Sequence, residues 1–346
     1  MNFKHILLSA ILSLVCTSNA MSNPTKTVEL IDADQKGIGE IVDISNDGSK
    51  IVTAYKTAIV WDKNTGQKIA TMSEFDGFVP NGFTKVPGYV ASSAFSPDGK
   101  LVVSGGPSAL AYIWNAKTGE IIHRIRLYPE DEVATSLTFA AAFSPDGNQV
   151  ALTDGVKFCL YNPVNGKLMA CIDDVKNVRK IYYINDDLVI VVSGSGTTQI
   201  VSLTERKVLH LYPSRAFLSA SEEFFYAFAP HGERTTEVTD DVYIEKINIL
   251  TGEVAYQSMQ FTPKGSTIIL SPNAEYIVQY DPDAEMYEVI GLDTGEVIRA
   301  FDLNNGNPDK LGLTASGNEL YRSSFGKLSL FDMSDIFSLI KSSQLH

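Results

Sequence analysis

Residues Tyr89 to Ile125 constrain this chain more than any other stretch. An apolar segment ends at Phe95 and meets the turn Ser96-Pro97-Asp98-Gly99, and a second segment runs from Lys100 to Ser104. After a Gly/Pro/Ser loop, Ala111 to Trp114 leads into Asn115-Ala116-Lys117-Thr118-Gly119, and a fourth segment opens at Glu120. Pro fixes φ at the second turn position, Asp caps the turn through its carboxylate, and Gly takes the positive φ that other residues avoid. Four short strands joined by two fixed kinds of turn make a meander that cannot bury its own faces. It needs neighbours of the same kind.

The rest of the chain supplies them. First turns recur at Ser45-Asn46-Asp47-Gly48, Ser144-Pro145-Asp146-Gly147, Asn185-Asp186-Asp187, Ser271-Pro272-Asn273-Ala274 and Ala315-Ser316-Gly317. Second turns end near residues 66, 119, 166, 206, 252, 295 and 336, a period of roughly 40 to 53 residues, close to that of known blade repeats. One such turn is weak evidence, whereas a series alternating between two types is strong. The predicted fold is all-β: a seven-bladed β-propeller of four-stranded antiparallel blades, one domain over residues 21–346. The ring should close by pairing Thr27 to Ile31 with Lys327 to Phe331, the competing strand being Ile336 to Ile340. Covering the last blade this way removes a sheet edge.

The repeat resembles the WD40-repeat β-propellers over essentially everything after Gly37. The only two tryptophans, Trp61 and Trp114, fall at the Trp of that family's Trp-Asp dipeptide; Asp62 keeps its Asp and Asn115 replaces it. The family's Gly-His dipeptide is absent. The repeat is also similar to exported bacterial propellers of the TolB-like and YVTN type, which share the Ser-Pro-Asp-Gly turn. Structural repeat positions are therefore Trp61, Asp62, Gly66, Asp98, Gly99, Trp114, Gly119, Asp146 and Gly147.

Residues 1–20 are expected to be a cleaved signal peptide. Lys4 supplies a positive start, Ile6 to Val15 an apolar run too short to span a bilayer, and Ser18-Asn19-Ala20 a small-x-small cleavage site. Val15 before Cys16 disfavours a lipoprotein, so the expected location is periplasmic or extracellular. A net charge of −13 argues against nucleic acid and anionic lipid as partners. Cys159 and Cys171 lie on strands joined by the turn Asn162 to Gly166. Setting Asn162 opposite Lys167 places Cys159 against Ala170 and leaves two buried thiols; a slip of one residue would make the possible disulfide.

Little in the sequence points to catalysis. His123 and His210 fall on outermost strands, His231 in a loop and His346 at the terminus, with no His-x-x-x-His spacing. Asp281-Pro282-Asp283-Ala284-Glu285 reads as an exposed turn, lacking the Gly and terminal Glu of a calcium loop. No cofactor or metal is expected. Binding is assigned to the face that carries the inter-blade links and the loops between second and third strands, with Phe75, Phe78, Phe83, Tyr128, Tyr212, Arg215, His231 and Arg234 as partner-binding residues. The longest link, Ser73 to Gly88, is the expected docking element. The reading is a non-enzymatic, monomeric, exported protein-interaction module. The alternatives are a lactonase- or hydrolase-type enzyme with a carboxylate-held metal in the channel, or a binder of a glycan, peptide or small ligand at its mouth.

Overall fold

A computed structural model describes residues 26–30, 40–73, 78–80, 85–87, 89–106, 109–127, 140–193, 197–212, 216–217, 223–230, 242–258, 268–271, 274–301, 310–313, 319–324 and 327–333. Seven four-stranded antiparallel sheets are formed, and in the first six each strand is hydrogen-bonded to the next in sequence. Blade one comprises Glu40–Ile44, Lys50–Ala54, Ala58–Asp62 and Lys68–Thr71, and blade two Ser92–Phe95, Leu101–Gly105, Leu110–Asn115 and Ile121–Arg126. Blade three comprises Ala140–Phe143, Val150–Thr153, Phe158–Tyr161 and Leu168–Cys171, and blade four Val178–Tyr183, Leu188–Ser193, Thr198–Ser202 and Lys207–Tyr212. Blades five and six run from Ala216–Phe217 to Val254–Gln257 and from Ile268–Leu270 to Val297–Phe301. First strands of successive blades touch one another, so they line the centre and the fourth strands form the rim. The fold is a seven-bladed β-propeller.

Blade seven contains Lys310–Leu313, Glu319–Ser324 and Lys327–Asp332, and its rim strand is Lys26–Glu29 from the other end of the chain. Lys26 pairs with Leu330 and Glu29 with Lys327, so the ring closes through the N-terminal segment as the alternation of Thr27 to Ile31 predicted. Val28 and Leu30 are buried there with Ile51, Ile59, Trp61 and Leu330. The competing strand Ile336 to Ile340 lies outside the described residues.

The core is a series of layers between blades. Trp61 fills the layer between blades seven and one, and Trp114 the layer between blades one and two, against Val52, Val60 and Met72. Both indoles are fully buried, and each N–H is satisfied from the adjacent strand. Trp61 Nε1 donates to Thr53 Oγ1 at 2.9 Å, and Trp114 Nε1 to Ser104 Oγ at 3.0 Å. Ser104 Oγ in turn lies 2.7 Å from Ser93 Oγ. An indole N–H buried without an acceptor would cost its full desolvation, so the Thr or Ser is needed wherever the Trp is.

The cysteine register differs from the one the turn alone predicts. Asn162 N–H does donate to Lys167 O at 2.9 Å, but a bulge between Leu160 and Tyr161 then skips a residue. Cys159 therefore faces Cys171, and the two form a disulfide with Cα atoms 4.0 Å apart. The same bulge sits between third and fourth strands at Val60/Trp61, Ile113/Trp114, Ile200/Val201, Lys246/Ile247 and Val289/Ile290. It belongs to the repeat. The extra residue increases local twist, which a blade needs as it splays toward the rim.

Candidate interaction surface

One face carries the first and second turns of the blades, and these are closed by their own side chains. In the first turns of blades one to three, Ser45, Ser96 and Ser144 donate to Asp47, Asp98 and Asp146 at 2.6, 2.7 and 2.6 Å. The same serine oxygens accept the N–H groups of Lys50, Leu101 and Gln149 at 2.9–3.0 Å. In the second turns, Asp62 Oδ1 accepts from the N–H groups of Asn64 and Thr65, and Asn115, Asn162 and Asn248 accept the equivalent pairs through their amide oxygens. Asn115 can replace the Asp of the dipeptide because this position needs an acceptor oxygen, which the amide supplies without a charge.

These bonds tune the carboxylates. The Ser45 hydroxyl, with the Ser49 N–H and hydroxyl, brings Asp47 down to about 2; Lys100, then Ser96, brings Asp98 down to about 2 as well. A carboxylate held low when folded adds stability that is complete above its unfolded value of 3.8 and is lost as pH falls toward 2. Thermal melts should therefore fall between pH 4 and pH 2, modestly because both groups are exposed. Asp47→Asn/Asp98→Asn should flatten that fall; an unaltered slope in the double variant would assign the acid sensitivity elsewhere.

Neighbouring blades are latched at the rim by donors reaching into the next blade's second turn. His123 Nε2 lies 2.9 Å from Val164 O, linking blade two to three, and His210 Nε2 lies 2.8 Å from Leu250 O, linking four to five. Tyr256 donates to Asp293 Oδ1 at 2.8 Å between blades five and six. Between blades one and two the latch is the Ser73 N–H on Gly119 O at 2.8 Å. At the ring seam, Lys63 of blade one pairs with Glu319 of blade seven at 2.9 Å. The two described histidines are thus bonded locally at the rim.

The opposite face holds the links. Link residues Phe78–Pro80 and Lys85–Pro87 pair as a two-stranded hairpin between blades one and two, so this link has local structure beyond a plain connector. Where the hairpin returns to the blades, Tyr89 stacks on Tyr55, ring centroids 5.0 Å apart and planes at 27°. Tyr55 occupies the loop between the second and third strands of blade one, and its C=O accepts the Val90 N–H at 2.7 Å, which ties the two loops together. Both residues are 44 % exposed.

Of the partner-binding residues expected from the sequence, Phe75, Phe83, Tyr128, Arg215, His231 and Arg234 lie outside the described residues, and Phe78 is described only as the first residue of its strand. Tyr212 is engaged between blades: its hydroxyl donates to Gly252 O at 2.9 Å, and its ring meets Phe225 edge-on at 5.1 Å. Sequence reasoning missed the Tyr55–Tyr89 pair because the two residues belong to different blades. It also missed Thr53 and Ser104, which could have been found: each lies two residues beyond the one paired with its Trp, on the same face of the strand. Asp281 is buried, and its Oδ1 accepts the N–H groups of Asp283 and Ala284, making the acidic loop of blade six a self-capped turn. Among the described residues, no three His, Cys, Asp or Glu side chains are grouped to hold a metal ion, and no helix is long and apolar enough to cross a membrane. No protein-family model matches the sequence. The chain is identified by its fold alone, as a seven-bladed β-propeller.

Proposed function

We propose that this chain is an exported, non-enzymatic propeller that binds a protein partner through its link face, near the hairpin between blades one and two. The observation that carries the reading is the stacked, half-exposed Tyr55–Tyr89 pair. Tyrosine supplies large contact area at low entropy cost and is enriched among the residues that dominate protein interfaces. Two rings fixed against each other and tied by a backbone bond have little left to lose on binding. The turn face offers less, because its polar groups are spent within the turns. The Trp61 and Trp114 positions support a WD40-like origin for the repeat, and the apolar stretch Ile6 to Val15 supports export.

The test is crosslinking in the native compartment followed by identification of the bound protein. Tyr55→Ser/Tyr89→Ser should lose the crosslinked partner and keep its melting curve, while Asn46→Ala on the turn face should retain it. Equal capture by both variants would sink the assignment of the face. A stoichiometric divalent ion in the purified protein would instead favour a hydrolase. Processing is checked separately: the purified chain should begin at Met21.

A further inference from the structure

We propose that the rim edge of blade three is a self-association surface, on which the strand Leu168–Cys171 pairs antiparallel with the same strand of a second copy of this chain.

Three observations lead there. The first is the open backbone. Ile172 N–H points inward to Phe158 O at 2.9 Å, so by the alternation of an antiparallel ladder Cys171, one residue earlier, turns its N–H and C=O outward. Such an edge is satisfied in full only by another extended backbone. The second is the apolar character of the edge. Leu168 is 57 % and Met169 49 % exposed, and Val164, whose C=O meets the His123 latch, is exposed in the turn just before them. Most other rim strands carry the charges that discourage edge pairing: Lys68 in blade one, Arg124 and Arg126 in blade two, Lys207 in blade four, Arg299 in blade six and Lys26 and Glu29 in blade seven. Blade three has none between Leu168 and Cys171, and its strand is fastened to the blade through Cys159.

The third observation selects the occupant. Lys167 precedes the strand and Asp173-Asp174 follows it, all exposed. Antiparallel self-pairing about Ala170 brings Lys167 of each copy to the end where the other chain turns away at Asp173-Asp174, so opposite charges meet at both ends of the joint strand pair. Pairing of this kind is two-fold symmetric and closed, which gives a dimer rather than a fibre. The one other uncharged rim strand, Val254–Gln257 of blade five, has Glu253 at one end and no cation at the other, and its Tyr256 is tied to blade six.

An interface this small predicts a weak, concentration-dependent dimer in place of the monomer expected from the sequence. Sedimentation equilibrium over a concentration series should show it. Lys167→Asp alone and Asp173→Lys alone should each weaken it by about tenfold, since two attractive pairs become repulsive. An equimolar mixture of the two variants should recover the dimer as a heterodimer, which only antiparallel self-pairing explains. Met169→Lys should give monomers, and Lys68→Asp on blade one should change nothing; melting curves at low concentration confirm that each variant folds. A mass of one chain at every concentration would overturn the proposal. So would a dimer that survives Met169→Lys, or a mixture no tighter than its components.

Discussion

Deleting residues 26–31 should unseat the ring and lower the melting temperature more than any single surface change. The segment buries Val28 and Leu30, 5 % and 6 % exposed, and full burial of side chains of this size is worth roughly 1.5–3 kcal/mol each. Its first four residues, Lys26 to Glu29, also pair with Leu330, Ser329, Leu328 and Lys327. Without them Leu330 and one side of Trp61 lose their cover, and blade seven presents a raw edge. The loss should be about 3–6 kcal/mol, a large part of what holds an ordinary domain together. Calorimetry of the shortened chain measures it directly. A peptide of residues 25–32 added in excess should restore much of the lost transition, which separates strand pairing from any general effect of truncation. An unchanged melt would mean that the seam contributes nothing.

Gly119→Ala should be nearly as damaging, by another route. Gly119 has φ +79, and an added Cβ would stand 2.0 Å from Thr71 O, a backbone atom of the neighbouring blade. That oxygen cannot retreat freely, because the N–H groups of the next two residues, Met72 and Ser73, are bonded to Ala58 O and Gly119 O. The substitution must spread blades one and two or break the latch. Gly48→Ala provides the comparison: φ is +66, but nothing lies within 4 Å of the added methyl. Gly48→Ala should cost about 1 kcal/mol for the backbone conformation alone, and Gly119→Ala about 3–5 kcal/mol. Denaturant titrations of the two variants give the difference. Equal costs would show that the turn conformation matters and the close approach does not.

That contrast bears on how much of the molecule could be read in advance. The turns at Asp98-Gly99 and Thr118-Gly119 were legible because their chemistry is local: a cap, a fixed φ and a glycine within five residues. Repeated along the chain, they gave the blade count, and the alternation of Thr27 to Ile31 gave the N-terminal closure. The cysteine pairing was not legible, since it depends on a bulge at Leu160/Tyr161 that no residue type announces. The second reason for Gly119, the backbone of blade one beside it, was hidden in the same way. The interaction surface fared worst. Tyr55 and Tyr89 are unremarkable singly, and only the juxtaposition of two blades makes them a pair.

The closure of blade seven by Lys26–Glu29 also fixes an order of events. A strand from the start of the chain must wait for the last blade before it has a partner, while the hairpins within each blade can form as soon as it is made. Closing over nearly the whole chain is a slow, non-local step compared with those hairpins. During the wait the early strand and the incomplete last sheet are both unpaired edges, open to the wrong chain as readily as to the right one. The hazard of assembly is therefore concentrated at one joint, and how fast that joint closes sets how much of the newly made chain reaches the ring rather than an aggregate.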